Sequence, residues 1–183
     1  MKCPVCKTKN CQTIELEKNL NAATCEACGG HWISRKNYST WLEKHGETLP
    51  EKQFSEFEFD TTDAKDAKLC PDCNRILLKY KVGHGLDFYI DHCSGCGGIW
   101  LDANEWNALQ DKNLHDEIHK MFSTSWQSKV RGDQMAEKLD QVYKNRLGDE
   151  TYEKAKATRT WLQDNPQKKA IIAFLSDDNP YEI

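Results

Sequence analysis

The sequence predicts an α+β protein: two small modules, each a β-hairpin plus a short helix closed by four cysteines, followed by an all-helical C-terminal domain. Three observations carry that reading. Eight of the nine cysteines stand in four Cys-x-x-Cys pairs, Cys3/Cys6 with Cys25/Cys28 and Cys70/Cys73 with Cys93/Cys96. The surroundings of these pairs repeat along the chain. From Asn113 onward the cysteines stop, and apolar residues recur at helical spacing instead.

Two thiolates separated by two residues face one cation when the chain turns tightly between them, and two such turns give a tetrahedral ion four soft ligands. Zinc is the expected occupant. One structural ion is assigned to Cys3, Cys6, Cys25 and Cys28, and a second to Cys70, Cys73, Cys93 and Cys96. Such an ion contributes on the order of 10 kcal/mol or more of folding free energy, more than a segment of roughly 45 residues obtains from its own core. Because each quartet is complete, no coordination position is left for the water that a catalytic zinc requires.

The repeat extends beyond the cysteines. The first pairs are related by an offset of 67 and the second pairs by 68, so one residue of loop differs. After the fourth ligand, Gly29-Gly30-His31-Trp32-Ile33-Ser34 matches Gly97-Gly98-Ile99-Trp100-Leu101-Asp102, and Tyr38 matches Trp106. The repeated unit is therefore a whole supersecondary module. Pro4 and Pro71 stiffen the first turns, the paired glycines allow backbone that a side chain would obstruct, and Trp32 and Trp100 are expected to cover the apolar side of each site.

Cys-Pro-x-Cys followed by Cys-x-x-Cys-Gly-Gly-x-Trp resembles the transcription-factor-IIB-type zinc-ribbon family of small prokaryotic proteins. The match is strongest from Cys93 to Glu105, where Gly97, Gly98, Trp100, Leu101, Asp102 and Glu105 complete the pattern. In the first copy Ile33, Ser34 and Asn37 replace Leu101, Asp102 and Glu105. The resemblance covers residues 1–46 and 70–112 and implies zinc binding and a ribbon fold. A domain shape does not by itself establish a role in transcription.

Taken in order, zinc ribbon 1 spans residues 1–46. Ile14 and Leu16 alternate with charged residues as one strand of its hairpin, but Lys18 to Ala23 holds no glycine to define the turn, and Ser34 can start the following helix. Residues 47–69 form an acidic linker, with seven acids against three bases and with Phe54, Phe57 and Phe59. Those rings suit either docking on a ribbon or an exposed partner-binding strip. Zinc ribbon 2 spans residues 70–112, with strands over Ile76–Val82 and Leu86–His92 joined by Gly83-His84-Gly85, and with Asp102 and Glu105 as a capping box for a helix carrying Trp106 and Leu109. The helical domain spans residues 113–183. Leu114, Ile118, Met121, Phe122 and Trp126 recur at helical spacing, as do Met135, Leu139, Val142 and Tyr143 up to Gly148. Shorter helices follow over Tyr152–Leu162 and Ala170–Leu175, and the stripes are expected to close into a bundle.

Composition limits the function. Hydrophobic content is 38% and no stretch approaches the roughly 18 apolar residues of a spanning helix. With Cys3 so near the start no cleaved signal is expected, and the cytoplasm is the expected compartment, where cysteines stay reduced. The formal net charge is −4, and each zinc held by four thiolates adds a further −2, so the chain is not generically drawn to phosphates. Residues 1–50 are mildly basic, seven bases against five acids, and Lys2, Lys7, Lys9, Lys18, Arg35 and Lys36 form the one candidate patch for nucleic acid.

Catalytic signals are missing. His31, His84 and His92 read as turn or surface residues, and His115 and His119 with Asp116 and Glu117 have the wrong order for a zincin helix and read as a solvated face. Cys11, the one unpaired cysteine, reads as a packing residue. The sequence therefore predicts a non-enzymatic protein with two structural zinc ions, acting as an interaction module or adaptor with a protein partner. The rival readings are a transcription-linked nucleic-acid binder and a thiol-based redox or zinc sensor.

Overall fold

A computed structural model describes all residues except 8, 46–49, 53–56, 58, 62–65, 182 and 183. Phe54 lies outside the described residues. The chain divides into two compact units, Met1–Arg131 and Gly132–Ile183.

The first unit is organised by one antiparallel sheet to which both repeats contribute. Its strands are β1 (Gln12–Glu17), β2 (Leu20–Thr24), β3 (His31–Ile33), β4 (Leu78–Gly83), β5 (Leu86–His92) and β6 (Ile99–Leu101), in the spatial order β1-β2-β3-β6-β5-β4. The two halves join at β3 and β6, with His31 opposite Leu101, Trp32 opposite Trp100 and Ile33 opposite Ile99. Trp32 and Trp100 are repeat equivalents, so the join lies on a local two-fold axis between the modules. The two expected ribbon modules are present, and their strands join in one continuous six-stranded sheet.

The first hairpin solves its turn without glycine. Asn19 takes a φ of 69°, its backbone N–H donates to Glu15 Oε1 at 2.8 Å, and the register shifts between Glu15 and Glu17. Asparagine tolerates the left-handed region better than most side chains, which is why this hairpin closes where no Gly is present. In the second hairpin His84 and Gly85 both have positive φ, as a tight two-residue turn requires.

Helices α1 (Arg35–His45) and α2 (Glu105–Asp111) follow β3 and β6. Ser34 starts α1 as expected, with its Oγ accepting the Asn37 N–H at 3.2 Å. The second start makes half of a capping box. Glu105 Oε2 accepts the Asp102 N–H at 2.8 Å, but the Asp102 carboxylate is used elsewhere, accepting from Trp100 Nε1 at 2.7 Å and from Lys68 Nζ at 3.0 Å. Tyr38 and Trp41 of α1 and Trp106, Ala108 and Leu109 of α2 enter a core with Leu20, Ile33, Val82, Phe88, Ile90, Ile99 and Leu101.

The segment after α2 belongs to the same unit. Leu114, Ile118 and Met121, the last two in α3 (Ile118–Met121), are buried in that core, and Tyr38 Oη donates to the His115 carbonyl at 3.0 Å. The first turns of α4 (Thr124–Leu147) continue it: Trp126 Nε1 donates to Val82 O and Gln127 Nε2 to Lys81 O, each at 2.9 Å. Residues 114–131, expected in a separate helical domain, therefore help close the sheet-based unit. Described parts of 47–69 also dock here. Phe59 packs on the core, the Pro50 and Asp60 carbonyls accept from Asn113 and Asn104, and Phe57 remains 63% exposed.

One buried polar cluster stands out in this unit. Lys68 is 2% exposed and its ammonium lies 2.5 Å from Asp91 Oδ2 and 3.0 Å from Asp102 Oδ2. Burial opposes the charged form, but hydrogen bonds and charge from Asp91 and Asp102 outweigh it and hold Lys68 above the usual lysine range, while burial raises Asp91. A lysine raised in this way stabilises the fold at neutral and acidic pH, and that support fades only at strongly alkaline pH. Lys68→Met removes the ammonium held between two buried carboxylates and is expected to cost about 3–5 kcal/mol at neutral pH. The deficit shrinks as acid protonates the carboxylates, which urea unfolding of the zinc-loaded variant in steps below neutral pH measures; a deficit that grows in acid contradicts this assignment.

The second unit contains the later turns of α4, then α5 (Asp149–Gln163) and α6 (Lys168–Ser176). Gly148, at φ 77°, turns the chain between α4 and α5. Asp140 accepts from Tyr152 Oη, with Lys144 and Lys156 beside it, and Tyr143 stacks on Tyr152. The expected helices are present, but their stripes do not close into a core: Met135 is 58% exposed and Trp161 59%, and Leu139, Val142, Ile172, Phe174 and Leu175 are exposed as well. Among the described residues no helix is long and apolar enough to cross a membrane.

Candidate metal centres

Each of the four Cys-x-x-Cys segments folds into a tight knuckle, and the same two devices recur. The residue after the second cysteine has positive φ: Lys7 at 59°, Gly29 at 70°, Asn74 at 59° and Gly97 at 75°. Its N–H donates back to the carbonyl of the first cysteine, at 2.9 Å in Lys7 and Asn74 and at 2.8 Å in Gly29 and Gly97. This reversal aims both sulfurs of a pair to one side, and amide groups inside the knuckle point at sulfur, as Cys6 N–H does toward Cys3 Sγ at 3.3 Å and Cys73 N–H toward Cys70 Sγ at 3.4 Å.

The two knuckles of each repeat meet. In the first quartet Cys3 and Cys28 sulfurs are 3.6 Å apart and Cys6 and Cys25 sulfurs 3.9 Å; in the second, Cys70 and Cys96 are 3.5 Å apart and Cys73 and Cys93 3.4 Å. Zinc bound to four sulfurs at about 2.3 Å requires tetrahedron edges of about 3.8 Å, whereas a disulfide requires about 2.05 Å. None of the nine cysteines is joined in a disulfide. The structure thus gathers Cys3, Cys6, Cys25 and Cys28 in one group and Cys70, Cys73, Cys93 and Cys96 in another, with donor atoms in each group within 4.8 Å of one another.

The electrostatics suit a cation. Burial works against ionisation of Cys25 and Cys93, yet knuckle amides outweigh it and hold both thiols down at about 7. Burial and the neighbouring sulfurs push Cys28 and Cys70 well above the ordinary thiol range. Each quartet therefore contains a thiol ready to ionise and another that crowding keeps protonated until a dication compensates the charge. The donor set and its spacing fit two zinc ions.

The tryptophans cross between the centres. Trp32 and Trp100 pack in one cluster with Cys3, Cys25, Cys70 and Cys93. A methyl group built on Gly98 would stand 2.1 Å from Trp32 Cζ2, and one built on Gly30 would stand 2.2 Å from Trp100 Cζ2. Each indole thus packs directly against the second glycine of the opposite repeat. The tryptophans pack beside the sites as expected, and each also reaches across to the opposite repeat. The paired glycines consequently have separate duties: the first supplies positive φ, and the second makes room for a ring. Trp32 Nε1 donates to Asp72 Oδ2, inside the opposite knuckle, at 3.0 Å. Val5 stands at the equivalent position of the first knuckle and offers no acceptor, so Trp100 turns to Asp102 instead.

The other singled-out residues fall elsewhere. His31 Nδ1 lies 2.7 Å from Thr24 Oγ1, His84 stacks on Trp126, and His92 stacks on Phe122. Cys11 packs at the edge of the sulfur cluster, and burial pushes its thiol up to about 11. His115 and His119 do not share a helix face. His119 is exposed in α3, whereas His115 precedes that helix, is buried, and is pushed below the usual imidazole range by burial against the pull of Glu17 and Asp116.

Comparison with protein families matches residues 2–44 and 69–112 to a family described as "Transcription factor zinc-finger". No curated protein matches the chain, and neither does any solved structure.

Proposed function

From a chain that carries two tandem domains of the transcription factor zinc-finger family, we propose a non-catalytic interaction module or adaptor whose partner is a protein. The single observation that carries this reading is the number of exposed apolar side chains on the helices of the second unit, Met135, Leu139 and Val142 on α4 and Ile172, Phe174 and Leu175 on α6. Apolar surface of that kind gains free energy by being covered, and contiguous patches mark interaction sites. Zinc closed by four thiolates has no position for substrate or water, so the metal's part is to hold the first unit together.

The net charge of −4 favours a protein over nucleic acid. A specific observation keeps the second reading in play, because Lys2, Lys7, Lys9, Arg35 and Lys36 are all exposed in the first repeat. Affinity capture with the zinc-loaded chain separates the two. The protein reading expects a stoichiometric protein retained after nuclease treatment and lost with Leu139→Glu. Binding that is nuclease-sensitive, weakens steeply with salt and disappears on substitution of Lys7, Lys9, Arg35 and Lys36 overturns it.

A further inference from the structure

Besides the sulfur quartets, one further group of metal-ligating side chains converges among the described residues. Glu17 ends β1, His45 ends α1, and His115 lies between α2 and α3, so three elements distant in sequence each deliver one residue. One donor atom from each lies within 4.8 Å of the other two. Glu17 Oε1 is 3.6 Å from His45 Nδ1, and Glu17 Oε2 is 3.8 Å from His115 Nε2. These separations exceed hydrogen bonds, and they are close to the roughly 3.4 Å edges of a tetrahedron of nitrogen and oxygen around a cation with bonds of about 2.1 Å.

The surroundings hold the three groups in place. Trp41 packs against both imidazoles, with ring centroids 4.4 Å from His45 and 5.6 Å from His115, and Gln110 Nε2 donates to Glu17 Oε2 at 2.8 Å. A carboxylate fixed by an amide and imidazoles fixed by an indole are the kind of outer layer that sets ligand direction at metal sites. His115 is only 7% exposed, and the nitrogen it turns to Glu17 is Nε2. A cavity of about 370 Å³ lined by Glu17, Asn19, Trp41, Lys44 and His45 opens beside the group, which leaves room for water ligands.

We propose that Glu17, His45 and His115 form a third metal site, distinct from the sulfur quartets, that takes a divalent first-row transition ion through two imidazoles and one carboxylate, with water completing its coordination. Imidazole and carboxylate donors suit zinc, cobalt, nickel and copper ions. With three protein ligands and an open side the site exchanges its ion more readily than either quartet, and the exposed Lys18 and Lys44 ammonium groups at its rim weaken it further.

The test uses the full chain with both quartets already filled by zinc, titrated with cobalt(II). The expected result is a further equivalent of cobalt with visible ligand-field absorption, no sulfur-to-cobalt charge transfer, and displacement by added zinc. Glu17→Gln and His45→Gln each weaken that binding by at least about tenfold while two zinc ions and the far-ultraviolet circular dichroism are retained, and His119→Ala, at an exposed histidine, leaves it unchanged. No further equivalent, a further equivalent with sulfur charge transfer, or one that survives in the Glu17→Gln/His45→Gln double variant overturns the proposal.

Discussion

Cys93→Ser leaves neither repeat folded. A structural zinc contributes on the order of 10 kcal/mol or more, which matches the whole stability of an ordinary domain at about 5–15 kcal/mol. Losing that ion removes β5 and β6, because Cys93 directly follows β5 and Cys96 sits three residues before β6. β3 then loses its partner strand, and Ile33, Tyr38 and Trp41 lose the Ile99, Leu101 and Trp106 side chains that share their core. Zinc content and amide spectra of the variant check this. The expected outcome is collapse of the Met1–Arg131 unit as a whole, and a first repeat that keeps native spectra and its own zinc contradicts the shared sheet.

Gly98→Ala is the second large effect, and it arises from one methyl group. Its Cβ would stand 2.1 Å from Cζ2 and 2.4 Å from Cη2 of Trp32, and Trp32 is buried with its indole nitrogen tied to Asp72, so the ring has no room to withdraw. Overpacking of this severity costs about 3 kcal/mol. The cause is specific to the crossed ring, so the cost of Gly98→Ala falls to near zero in a Trp32→Leu background, even though Trp32→Leu is itself destabilising. A double-mutant cycle in urea measures the coupling, and additive effects contradict the packing of Trp32 across to the opposite repeat.

What the sequence revealed and concealed follows from the range of each interaction. The ligand sets were legible because the Cys-x-x-Cys turn is local and its chemistry depends on spacing alone, so Cys3 to Cys28 and Cys70 to Cys96 group in the structure as their intervals imply. The hairpins and their following helices were legible for the same reason, down to Ser34 as a helix start. The pairing of β3 with β6 was not, since it joins residues of different repeats and no local pattern states that Trp32 belongs over Gly98. That repeat-to-repeat join also reassigns the glycine pairs and explains why Asp72 and Val5, equivalent by position, have different neighbours.

Helical periodicity was reliable for element type and silent about partners. The spacing of Leu114, Ile118 and Met121 is the same kind of signal as that of Met135, Leu139 and Val142, yet the first set is buried against the sheet and the second is exposed. The turn at Asn19 escaped notice because the expected signature was glycine, and asparagine serves there in the left-handed region. Glu17, His45 and His115 form no motif at all. They come from a strand end, a helix end and a loop, and His115 reads as a solvated residue until the fold places it under Trp41.

The most direct measurement of the central claim is zinc K-edge X-ray absorption on the reduced full chain carrying two equivalents of zinc. Two ions held by Cys3, Cys6, Cys25, Cys28 and by Cys70, Cys73, Cys93, Cys96 give a first shell of four sulfurs per zinc at about 2.3 Å with no lighter atoms. Nitrogen or oxygen in that shell, or fewer than four sulfurs per ion, contradicts the account.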